Sequence, residues 1–136
     1  MADSPTARQM PGRPLSPHLQ IYRFTWTMAM SVVHRATGIA LYAGTILLVW
    51  WLVAAAAGPG PYETVRIAAG SWIGIIILIG YTWALLHHAI GGLKHLTQDL
   101  GFGWGRTARF AWAKGSLIAS LVLTLAAWIA VVLVWS

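Results

Sequence analysis

HHAIGGLKHLTQD, residues 87–99, ends an uncharged run that starts at Ile67. As a helix rising about 1.5 Å per residue, Ile67–Leu93 covers about 40 Å, enough to cross a bilayer. His88 then lies within the membrane, about 9 Å of helix before Lys94, the first residue whose charge needs the water interface. At 3.6 residues per turn Ala84, His88, Gly92, His95 and Asp99 share one face, a small or polar stripe on an otherwise apolar helix. An imidazole facing lipid is costly, so an intramembrane histidine faces protein, a water path or a cofactor. Gly91 and Gly92, one turn on, remove side chains that would hold a flat group off the backbone. A histidine with clearance beside it is what an axially ligated haem needs. Two plainer accounts compete: a core histidine satisfied by its neighbours, and glycines that mark close helix packing.

The composition places this helix in a membrane protein. Of 136 residues 58% are hydrophobic and only 9% charged, with nine Trp, and the uncharged runs approach or exceed twenty residues. The net charge of +6 comes from basic residues between apolar runs, where they set topology; no basic stripe interleaved with aromatics points to nucleic acid. With no cysteine the chain holds no disulfide, no thiolate-bound iron–sulfur cluster and no Cys-ligated haem. The acids Asp3, Glu63 and Asp99 are far apart, which removes paired-carboxylate chemistry. No zinc-protease, nucleophile-triad or P-loop motif occurs, so no catalytic residue is expected and the chain by itself is not expected to run a hydrolytic or phosphoryl-transfer reaction.

Residues 1–14 read as a flexible polar tail rather than a signal peptide. Residues 15–27 read as an interfacial segment, with Tyr22, Phe24 and Trp26 as aromatic anchors. Residues 28–136 form a three-helix membrane unit with spans near 28–57, 64–93 and 115–135. Gly58-Pro59-Gly60-Pro61 ends the first span. Glu63 and Arg66 are expected in a loop before the second, and Gly101–Lys114 in the connection to the third. Ser116, Ser120 and Thr124 form an i, i+4, i+8 ridge, read as a packing surface.

A second polar stripe lies on the first helix: Thr27, Ser31, His34, Arg35, Gly38, Tyr42 and Thr45. An arginine snorkelling to headgroups explains Arg35 alone, but not small and polar residues deeper in. Arg8, Arg13, Arg23, Arg35, Lys94, Arg106, Arg109 and Lys114 fall on one side of the membrane and Arg66 on the other. The N-terminus is therefore expected in the cytoplasm and the C-terminus outside. Ser31, His34 and Arg35 then come level with His88, His95 and Asp99, a grouping suited to an anionic or proton-accepting ligand.

Three blocks, RPLSPHLQIY at 13–22, SVVHRATG at 31–38 and HAIGGLKHLTQDLG at 88–101, resemble the cytochrome b subunits of succinate dehydrogenase, respiratory complex II. The resemblance implies an all-α membrane anchor that packs with a second three-helix anchor subunit into a bundle around one haem b. It further implies docking of an iron–sulfur subunit and a flavoprotein, and a part in ubiquinone reduction. On the family pattern His88 is the haem axial ligand and so the iron-binding residue, the opposite ligand coming from the partner anchor. His34, Arg35 and His95 surround the haem propionates, Ser31 and Arg35 line the quinone pocket, and Asp99 lies nearby on a proton route. Lys94 stands where the family often has Arg, a point charge in place of a bidentate fork. His87 supplies a neighbouring imidazole, about 100° around the helix from the glycine face.

The physical demands of that role agree with the residues present. Quinone reduction takes protons and electrons; Ser31 can donate a hydrogen bond to a carbonyl oxygen and Arg35 can stabilise charge developing there. The expected location is the bacterial inner membrane, ahead of the mitochondrial one. Three alternatives stand beside this reading. One is a fumarate reductase anchor. Another is a self-contained diheme cytochrome, disfavoured because His88 and His95 are only about 10 Å apart along the helix. The last is a non-redox proton-relay or assembly subunit using the histidines and Asp99.

Overall fold

A computed structural model describes residues 22–135, and among them every regular element is an α-helix. The tail expected over 1–14 and residues 15–21 of the expected interfacial segment lie outside the described residues. Helix α1 (Trp26–Ala57) is 32 residues long, about 48 Å, and stops where Gly58 takes φ +111°, a conformation only glycine adopts cheaply. Pro59 then opens α2 (Pro59–Gly70), its missing N–H falling in the first turn where no partner exists anyway.

Glu63 and Arg66 therefore sit on a helix and not in a loop. They lie one turn apart, and the guanidinium donates to both carboxylate oxygens at 2.7 and 2.6 Å. Arg66 holds the Glu63 carboxyl below the usual carboxylate range, chiefly through that hydrogen bond. Any contribution of the pair to helix stability is present above the ordinary glutamate range and is lost as the pH falls through the depressed value.

The apolar run read as one span from 64 to 93 is broken at Ser71. Its backbone is extended (φ −67°, ψ 158°) and its hydroxyl accepts the Gly74 N–H at 3.1 Å, capping α3 (Trp72–Asp99). Gly74 makes this corner possible, because a Cβ there would collide with the Ala68 and Ala69 carbonyl oxygens. The break escapes hydropathy because apolar residues flank it on both sides. At the other end α3 runs on through Lys94 to Asp99, and α4 (Arg106–Trp135) starts well before Lys114. The connection expected over 101–114 shrinks to a short loop turned by Gly101 and Gly103 at φ +88° and +79°. The charges of 106–114 extend the helix past the hydrocarbon rather than marking a loop. Helices α1, α3 and α4 are each long and apolar enough to span a membrane.

Helix α3 lies between α1 and α4. Along α1 and α3, Gly44 meets Tyr81, Gly38 meets His88 and Gly91 meets His34, the descending order of an antiparallel pair. Small residues at each step bring the backbones close, the means by which helices associate where lipid gives no hydrophobic drive. The Tyr81 hydroxyl donates to the Leu41 carbonyl at 3.4 Å. On α4 the ridge of Ser116, Ser120 and Thr124 is buried. Ser120 and Thr124 donate to carbonyls of their own helix at 2.9 and 2.7 Å, so the ridge is a satisfied packing surface, as expected. The stripe on α1 does not continue inward to Tyr42, which is 82% exposed; the inner line runs through Thr37 and Gly44 instead.

Gly44→Ala is expected to force Tyr81 off its seat and cost about 1–3 kcal/mol, the usual range for overpacking. Gly60→Ala and Gly115→Ala, where a Cβ meets nothing within 4 Å, serve as controls. Thermal denaturation of the detergent-solubilised protein checks this, with a lowered midpoint for Gly44→Ala only.

Candidate functional site

Two histidines a helix apart grip each other's backbones. The His88 Nδ1–H donates to the His34 carbonyl at 3.1 Å, and the His34 Nε2–H donates to the His88 carbonyl at 3.3 Å. A carbonyl can only accept, so both tautomers are assigned by their partners. The rings lie face to face, centroids 4.1 Å apart and planes 10° from parallel. Glycines make the approach possible: a Cβ on Gly91 would strike the His34 ring, and one on Gly38 would stand 3.0 Å from His88 Cε1. The clearance at Gly91, expected to serve a flat cofactor, is thus filled by His34. Gly92 has nothing within 4 Å of its Cβ position.

The inner face of α3 differs from the expected stripe by about one residue of rotation. Ala84, His87 and Gly91 are its buried residues, while Gly92, His95 and Asp99 are exposed. The cause is that α3 has neighbours on both sides, so its most buried line points between them and the two histidines diverge. His87 turns to α4, where it is 1% exposed, bonds Ser120 Oγ through Nδ1 at 3.3 Å and stacks on Trp83 with centroids 5.4 Å apart. The Trp83 Nε1, beside it, is the one buried side-chain polar atom without a partner among the described residues. His88 turns to α1 and is half-buried. Its Nε2 makes no hydrogen bond among the described residues, yet is not a sealed, unpaired atom. His88 therefore keeps an accessible lone pair on the α1 side, while His87, more buried, borders the cavity between the three helices.

Behind His34 a cavity of about 340 Å³ opens between α1, α3 and α4, within the size range of small-molecule sites. Ser31, His34, Arg35 and His95 all line it, joined by His87 and Lys94 of α3 and by Ser116 from the far helix. His95 stands edge-on to His34 at 5.3 Å. Asp99 is not among the lining residues, and neither is His88. Arg35 donates Nε–H to the Ser31 carbonyl at 3.3 Å, and among the described residues the Glu63–Arg66 pair is the only salt bridge. The cavity thus presents a guanidinium, an ammonium, imidazoles and a hydroxyl with no carboxylate, a donor set for an anionic or oxygen-rich ligand. Lys94 and Ser116 were not expected at this site. Lys94 was legible as the next charge on the helix, whereas Ser116 reaches the cavity only through the packing of α4.

Among the described residues no three His, Cys, Asp or Glu side chains converge as a metal-binding group. A haem iron needs only one histidine from a given chain when another chain supplies the second. For that role the residues fit: a single imidazole with its Nδ1–H anchored on a carbonyl, the usual second-shell arrangement of a ligating histidine, and cations nearby for propionates.

The chain as a whole is similar to known membrane subunits. The family model described as the succinate dehydrogenase/fumarate reductase transmembrane subunit matches residues 9–131. The succinate dehydrogenase cytochrome b556 subunit of Paracoccus denitrificans is 50% identical over 91 residues, 67% of this chain and 70% of that protein. The Rickettsia typhi cytochrome b556 subunit is 32% identical over 117 residues, covering 86% and 91% of the two chains. The mitochondrial cytochrome b560 subunit of Sus scrofa is 40% identical over 96 residues, 67% and 55%.

The two neighbouring glycines give opposite expectations. Gly91→Ala should displace the His34 ring and lower the yield and melting temperature of the assembled protein, whereas Gly92→Ala should leave both near the parent. Equal behaviour of the two variants, measured by size-exclusion chromatography and thermal denaturation, would contradict the packing described.

Proposed function

The chain belongs to the succinate dehydrogenase/fumarate reductase transmembrane subunit family, and from that premise we propose that it is a haem b-binding anchor contributing to quinone reduction. It would pair with a second three-helix anchor and dock an iron–sulfur subunit and a flavoprotein, in the bacterial inner membrane with its N-terminus cytoplasmic. The observation that carries the reading is His88, whose Nδ1 is committed to a carbonyl while Nε2 stays accessible. When bound, the haem would supply one-electron redox chemistry. Arg35 and His95 would hold its propionates by charge and hydrogen bonding, and His34, whose N–H is given to the His88 carbonyl, would stand beside them.

For the quinone, Ser31 and Arg35 offer a hydroxyl and a guanidinium on one wall of the cavity. Ser31 would orient a carbonyl oxygen, and Arg35 would stabilise negative charge gathering on it during reduction. Protons would enter from the cytoplasmic side, where Asp99, outside the cavity but exposed at the same end of α3, can take them from water. The succinate direction follows the names of the relatives, each a succinate dehydrogenase subunit. The Arg35 guanidinium and the Ser31 hydroxyl, which a relay built on the imidazoles would not need, favour this reading over a proton relay.

Replacing His88 by Ala should abolish the low-spin haem spectrum of the assembled complex, while His87→Asn should keep it. An unchanged spectrum in His88→Ala would overturn the ligand assignment. Ser31→Ala and Arg35→Ala should lower kcat/KM for quinone by about 10- to 100-fold, the worth of a charge-assisted hydrogen bond. Succinate oxidation by an artificial acceptor should change little; equal loss in both assays would mark an assembly defect.

A further inference from the structure

The hydroxyl of Thr37 occupies a position that packing alone does not demand. Thr37 is 4% exposed on the inner line of α1. Its Oγ1 donates to the His34 carbonyl at 2.8 Å and lies 3.4 Å from His88 Nδ1. That hydroxyl has one hydrogen, already placed on the carbonyl, so toward His88 it can only accept. The His34 carbonyl, 3.1 Å from the same nitrogen, is also an acceptor only. Two acceptors therefore converge on Nδ1. The proton must sit there, and Nε2 must carry the lone pair.

The geometry points to Thr37 as a positioning residue that, through its hydroxyl, holds His88 in the tautomer and orientation needed for iron ligation. This rests on the reading of His88 as the haem ligand. Gly38 leaves room for the seat, since a Cβ there would stand 3.0 Å from His88 Cε1 and crowd the ring. Hydrogen bonding at Nδ1 makes a ligating imidazole more electron-rich. A more electron-rich ligand stabilises ferric over ferrous iron and lowers the haem potential. Valine has nearly the shape of threonine and lacks the acceptor, so it isolates the hydroxyl from the packing.

In the assembled complex Thr37→Val should raise the haem midpoint potential and broaden the low-spin electron paramagnetic resonance signal, while Thr37→Ser should restore parental values of both. Parental potential and g-values in Thr37→Val would overturn the assignment, as would a serine variant that shifts as far as valine. Should Thr37→Val yield no haem-loaded complex, Thr37→Ala removes the same hydroxyl and leaves room; a raised potential supports the proposal and a parental one overturns it. The underlying reading fails separately, by a persisting haem spectrum in His88→Ala. A lost spectrum in that variant combined with a parental Thr37→Val sinks only the role of Thr37.

Discussion

Two imidazole N–H groups donating to two backbone carbonyls across the α1–α3 interface hold this molecule's functional end together. In water such bonds would be replaced by solvent at small net cost. In lipid the helices have no hydrophobic reason to associate, and close packing with interhelical hydrogen bonds of about 0.6–2 kcal/mol each must serve. The bonds are reciprocal, so each ring is held by the other residue's backbone carbonyl and can turn only by giving up the bond it donates. Glycine is required opposite each ring, at Gly38 and Gly91. Four residues on two helices thus form one unit, and the stacking of the rings at 4.1 Å is its outcome.

That unit also separates two chemical environments. On one side of His34 lies the cavity with Ser31, Arg35, Lys94 and His95; on the other the His88 ring faces the unit with its proton settled on Nδ1. Arg35 and Lys94 line the cavity, and Asp99, exposed at the same end of α3, is not among its lining residues. Topology and binding therefore draw on the same charges. Arg35 and Lys94 belong to the one-sided set of basic residues from which the positive-inside rule reads topology, and they also make the cavity electropositive.

Much of this was legible in the chain. Three uncharged runs, a Gly-Pro-Gly-Pro stop and one-sided basic residues lead to three membrane helices, and Ser31, His34, Arg35 and His95 do meet at one cavity. What escaped were features set by neighbours rather than by period. The α2–α3 corner depends on Ser71 and Gly74, whose flanks are as apolar as any span. The rotation of α3 depends on its having α1 on one side and α4 on the other, which a single-helix projection cannot contain. Thr37 escaped for a related reason: only the distance from its hydroxyl to His88, set by the α1–α3 packing, distinguishes it from an ordinary intrahelical threonine.

The histidine geometry also bears on why such a chain would need a partner to hold a haem. An axial ligand must point the lone pair in its ring plane at the iron. His34 shows His88 its ring face, and its own Nε2 is engaged with a carbonyl, so the two cannot grip one iron between them. His87 is bonded to Ser120 of α4, borders the cavity and is the sequence neighbour of His88 on the same helix turn, so it does not stand across from it. His95 lies about 10 Å further along the same helix. Among the described residues no histidine stands across from His88, which is in keeping with the proposal that a partner polypeptide would supply the other nitrogen. The lipid-facing breadth of α1 and α3, with Ile39, Tyr42 and Leu85 all exposed, leaves surface for that polypeptide to cover.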